Sequence, residues 1–141
     1  MNHKKSITVP PHDLFMLAKD SINKSGRFTF TARGYSMYPA ICDGEKVTLE
    51  SIDFKDLKIG DIVLCYTFDG PFLHRIVKKS YRSKDKYIII KGDALFSKKH
   101  QVESYQIAGS VSYIFKRHKK RFKGFLKRRL LNIKNIKKKF N

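Results

Sequence analysis

Residues 27–39, Arg27-Phe28-Thr29-Phe30-Thr31-Ala32-Arg33-Gly34-Tyr35-Ser36-Met37-Tyr38-Pro39, run an alternating stretch directly into a glycine and proline turn. Phe28, Phe30 and Ala32 alternate with Arg27, Thr29 and Thr31, the period-two pattern of a half-buried strand. Gly34 accepts backbone angles closed to residues with a Cβ, while Pro39 fixes its own φ and pushes Tyr38 towards extended geometry. Ser36 is thereby held in a stiff bend, as a serine nucleophile must be. A serine hydroxyl also needs a base. Of the five histidines, His3 and His12 lie in a polar leader, His100 in a lysine-rich turn and His118 in a basic tail. Only His74 falls inside an expected strand, and alternation sends Leu73 and Arg75 to the face opposite its ring. With an unperturbed pKa of ~6.5, an imidazole takes a serine proton near neutrality without a large environmental shift.

The rest of the chain reads as more short strands. Val47 and Leu49 mark one; Ile62 to Tyr66, Phe72 to Val77, Tyr87 to Lys91 and Ile107 to Phe115 are others. Gly60-Asp61, Asp69-Gly70-Pro71 and Arg82-Ser83-Lys84-Asp85 carry turn chemistry. Little helix separates these runs, so the expected class is mainly β, a coiled or barrel-like antiparallel sheet. One N-terminal helix is expected from an Asp13 cap through Leu14, Phe15, Leu17, Ala18 and Ile22 to a stop at Lys24-Ser25-Gly26, covering one sheet edge.

The length of 141 residues suits one core, divided here into a leader and helix at 1–26, a β domain at 27–115 and a tail at 116–141. The formal net charge is +19, and the tail holds 13 Lys or Arg and no acid. A polyanionic partner is implied. At helical spacing, Phe122, Phe125, Leu126, Leu130, Ile133, Ile136 and Phe140 form an apolar stripe, with Leu131 off it and the cations mostly opposite. Such a helix suits an anionic membrane surface. Nucleic acid is the weaker alternative, because the tail's aromatics sit on the stripe rather than as stacking platforms. Cys42 and Cys65 have neither C-x-x-C spacing nor a metal-ligand pattern and read as reduced and buried. No secretory signal or membrane-spanning run is legible, which points to the cytoplasm, with peripheral contact at the inner membrane surface. No metal, phosphate or cofactor motif is present in the sequence.

Gly34-x-Ser36-Met37-x-Pro39, Gly60-Asp61-Ile62-Val63, His74-Arg75-Ile76-Val77 and Lys91-Gly92-Asp93-Ala94 occur in that order. The pattern resembles the signal peptidase I and LexA-like serine peptidases, in the branch of the endoplasmic reticulum and archaeal enzymes whose base is histidine, here in soluble form. The resemblance implies that fold and a serine endopeptidase. Ser36 would be the nucleophile, its own amide an oxyanion donor, and His74 the general base. Met37 would face the substrate, with Tyr35 and Tyr38 as pocket walls or plain surface, and Asp93 would match the first acid of the family pattern. The second acid, commonly the one that orients the histidine, falls at Lys99, and a cation cannot accept from imidazole. That leaves Asp93 as orienting acid, a Ser-His dyad, or a homologue that binds a peptide without cleaving it. Gly44-Glu45 also departs from the family's usual Gly-Asp. The location implied above favours a cytosolic or membrane-surface precursor, or the chain itself, as substrate over exported proteins. LexA-like repressors carry a DNA-binding module that a single N-terminal helix is too short to supply.

Overall fold

The structure is a computed structural model and describes residues 9–116. The tail stripe from Phe122 to Phe140 lies outside the described residues, as do His3 and His118. Helix α1 spans Pro11–Ser25 and is followed by strands β1 (Arg27–Thr31), β2 (Lys46–Glu50), β3 (Ile62–Thr67), β4 (Gly70–Tyr81), β5 (Lys86–Lys91), β6 (Lys99–Glu103) and β7 (Ile107–Phe115). They form one antiparallel sheet in the order β1-β2-β7-β3-β4-β5-β6. Register shifts at Thr48/Leu49, Leu64/Cys65 and Ile76/Lys78 add local twist, and the sheet curls into a half-barrel.

Strand β3 explains the two cores. Ile62 and Leu64 point into a cluster with Phe15, Ile22, Met37, Val47 and Leu49, while Val63 and Cys65 point into a second with Ile76, Ile88, Ile90 and Val102. Buried on both faces, β3 has no polar face to show, which is why it reads as an unbroken apolar run. Burial pushes the Cys65 thiol pKa up, and Cys42 and Cys65 form no disulfide.

Three expectations change. Helix α1 starts on Pro11, whose missing N–H costs nothing in the first turn; Asp13 sits inside that turn and makes no side-chain cap. The helix buries Phe15, Ala18 and Ile22 but leaves Leu17 exposed, and it touches β1, β7, β4 and β3, closing the first core rather than shielding one edge. Its end is as expected: Gly26 takes φ 82° and donates to the Ile22 carbonyl at 2.8 Å. The lysine-rich turn at His100 is in fact β6, paired with β5. Only Val102 of this strand is fully buried, and lysine-bearing edge strands of this kind carry little apolar signal. Among the described residues, no helix is long and apolar enough to cross a membrane.

Candidate active site

Two loops make the site. Strand β1 ends in a pinch: Ala32 N–H donates to the Glu45 carbonyl and Gly44 N–H to the Ala32 carbonyl, each at 2.8 Å. Within the enclosed loop Gly34 takes φ 92° and donates to Asp43 Oδ1 at 2.8 Å. Met37 and Ile41, 3% and 2% exposed, anchor the turn from below. Met37 therefore does not face a substrate; it is a core residue that fixes the serine beside it. Tyr35 and Tyr38 are exposed. Glu45 is buried and braces the same turn, accepting from Cys42 N–H at 2.9 Å and from Lys116 Nζ at 3.1 Å, while Lys116 also donates to the Ala40 carbonyl. The second loop follows β5, where Ala94 N–H donates to the Ser36 carbonyl at 2.9 Å.

Strand β4 brings His74 beneath the serine. Its Nε2 lies 3.1 Å from Ser36 Oγ, across 38 residues of sequence. The ring is 3% exposed and stacks on Phe72 at 4.9 Å, and Phe72 in turn stacks on His100 at 4.7 Å. His100 Nδ1 is 3.8 Å from Asp69 Oδ2. When Nε2 accepts the serine proton, Nδ1 carries the hydrogen, yet His74 Nδ1 is buried with no hydrogen-bond partner among the described residues.

Asp93 is not that partner. Its two oxygens accept from Arg75 Nε and Nη2, both at 2.8 Å, and Arg75 Nη1 donates to the Gly60 carbonyl at 2.7 Å. Strand parity gives the reason. Arg75 is directly opposite Lys91, so Asp93, two residues further on, falls on the Arg75 side and away from His74. Asp93 thus ties the Gly60-Asp61 turn to the second loop. Lys99 is opposite Lys91 and shares that same far side, whereas His100, opposite the buried Ile90, is on the side of His74. His100 is the site neighbour that the sequence reading missed; the alternation of His100 with Val102, beside a β5 in need of a partner, was the available signal.

No protein-family model matches the chain, and no curated protein matches it in sequence.

The electrostatics follow from burial. Desolvation first, then the charge of His100, pull the His74 pKa down to about 4, with Lys91 acting in the same direction and Asp93 opposing. The expectation of an unshifted imidazole is corrected: His74 is neutral at pH 7 by a wide margin. Hydrolysis that uses it as base is expected to keep a flat kcat/KM from neutrality down to about pH 5 and to fall with an apparent pKa of about 4. A pH-rate profile that breaks near 6.5 instead would assign the base elsewhere. The native state also binds fewer protons here than the unfolded chain. The residue's stabilising contribution, up to about 3 kcal/mol, is therefore complete above pH ~6.5 and lost as pH falls towards 4, which acid titration followed by circular dichroism would detect.

Parity makes a second prediction. His100→Asp puts an acid on the His74 side, and is expected to raise the low-pH limb and increase kcat at least ~tenfold. Lys99→Asp, on the far side, is expected to leave the low-pH limb in place. Steady-state kinetics across pH would check the pair; a gain confined to Lys99→Asp would reverse the face assignment.

Proposed function

We propose that this chain is a serine endopeptidase of the signal peptidase and LexA-like fold, working through a Ser36–His74 dyad. The observation that carries the reading is the 3.1 Å approach of His74 Nε2 to Ser36 Oγ. Ser36 Oγ attacks the scissile carbonyl as its proton passes to Nε2, and the same proton then goes to the departing amine. Water, deprotonated by His74 in turn, hydrolyses the acyl-serine. The Ser36 N–H has no protein acceptor among the described residues and supplies an oxyanion donor. Among the described residues no carboxylate hydrogen-bonds the imidazolium formed on the way, and burial and His100 oppose its charge more than Asp93 favours it, so the dyad is slow relative to a full triad.

The substrate in this reading is a peptide precursor in the cytoplasm or at the inner membrane surface, or the chain itself. The basic amphipathic tail of residues 116–141 would carry the protein to anionic lipid.

A fluorophosphonate probe tests the assignment. Mass spectrometry is expected to find one adduct, on Ser36, that is absent in Ser36→Ala. No adduct after exhaustive exposure would remove the enzyme and favour the second reading, a homologue that binds peptide without turnover. The orphaned His74 Nδ1 is the observation on that side.

A further inference from the structure

The second loop carries a feature that the dyad does not use. Ser97 N–H donates to the Ala94 carbonyl at 3.1 Å, which makes residues 94–97 a tight turn with Leu95 and Phe96 at its centre. Those positions ordinarily hold Gly, Pro, Asn, Asp or Ser, because a turn tip projects into water. Here two large apolar side chains stand there, 97% and 81% exposed. Local turn chemistry does not call for them, and they add nothing to either core. The turn is also rigidly mounted: Lys91 Nζ donates to the Gly92 and Ala94 carbonyls, both at 3.2 Å, and Ala94 N–H holds the Ser36 carbonyl. Tyr35 and Tyr38, 68% and 51% exposed, flank Ser36 on the first loop. Four exposed apolar residues thus belong to two loops joined at the serine, and grouped exposure of this kind marks a binding surface.

Charge narrows the occupant. Lys98 and Lys99 follow the turn, both exposed and without an ion pair among the described residues, while the nearby acid Asp93 is spent on Arg75. The chain's own tail, basic throughout, would be repelled. We infer that Leu95 and Phe96, with Tyr35 and Tyr38, bind a peptide segment bearing large apolar side chains next to the bond presented to Ser36, with acidic residues further along opposite Lys98 and Lys99. The inference rests on the peptidase reading for its orientation towards Ser36.

The test uses the full chain carrying Ser36→Ala, so that binding is measured without cleavage. Two fluorescein-labelled decapeptides, one with two phenylalanines at its centre and glutamates towards its ends, the other with serines at its centre, are titrated by fluorescence anisotropy. The phenylalanine peptide is expected to bind at least ~tenfold tighter. Adding Leu95→Ser and Phe96→Ser, a change that suits an exposed turn and spares the fold, is expected to erase the difference. Lys98→Glu with Lys99→Glu is expected to weaken binding of the glutamate-bearing peptide. Equal affinity for the two peptides, or a preference that survives in the Leu95→Ser/Phe96→Ser protein, overturns the inference. So does sedimentation with phosphatidylserine vesicles that depends on Leu95 and Phe96 while no peptide preference is seen, because the occupant is then lipid. A failure here leaves probe labelling of Ser36 untouched, and a failure of labelling leaves the peptide preference measurable.

Discussion

Ser36→Ala and His74→Ala are each expected to lower peptide hydrolysis by at least ~10³-fold, and the double variant to be no slower than the worse single. The non-additivity is the informative part. If the hydroxyl is useful only when Nε2 takes its proton, removing either group removes the same step, and removing the second costs nothing further. Ser36 is held by its carbonyl, which accepts from the Ala94 amide, and by the buried Met37 next to it, so truncating its side chain leaves the turn in place. His74 is buried against Phe72, and its loss also opens a cavity; thermal unfolding of each variant separates that effect from the chemistry. Steady-state kinetics on the folded fraction would decide. Cleavage by His74→Ala within about tenfold of the parent, with Ser36→Ala inactive, would place the base on another residue.

The sequence conveyed the site's central pair because both members sit on strong local signals. Ser36 is bracketed by Gly34 and Pro39, and His74 lies in an apolar run between two well-marked turns. What it did not convey depended on registry between strands. Asp93 follows a strand end by two residues, and its side is decided by pairing Arg75 with Lys91, a relation between β4 and β5 that no local pattern encodes. The pairing of β5 with β6 in turn places Lys99, the position where the resemblance puts an acid, on the far face and brings His100 to the near one. Met37 was read outward by the same resemblance, yet a methionine one residue past the serine, on the inner side of a tight turn, gains more by burial in the first core. The low pKa of His74 was equally out of reach, since desolvation is set by how Ser36 and Phe72 close on the ring in the folded chain.

That closure yields the last expectation: Gly92→Ala is expected to lower kcat/KM by ~10²-fold while the protein stays folded. Gly92 is not in the left-handed region, so an alanine there meets no backbone strain; the obstacle is space. A Cβ at Gly92 would lie 2.6 Å from the Ser36 carbonyl oxygen and would also collide with the Ser97 side chain. Ser97 can turn its hydroxyl away, but its Cβ, 2.9 Å from the new methyl, moves only with the backbone. The Ser36 carbonyl cannot yield without loosening the Ala94 N–H bond that joins the loops, and any such movement carries Oγ away from Nε2. Two companion variants isolate this cause. Gly26→Ala places a side chain at φ 82° with nothing within 4 Å, so it is expected to cost about 1 kcal/mol of stability at the end of α1 and to leave the kinetics alone. Gly92→Ala combined with Ser97→Gly removes the side-chain collision but keeps the one with Ser36, and is expected to remain slow. Full recovery in that combination, or an unaltered rate of fluorophosphonate labelling in Gly92→Ala itself, would mean that the second loop does not set the position of Ser36.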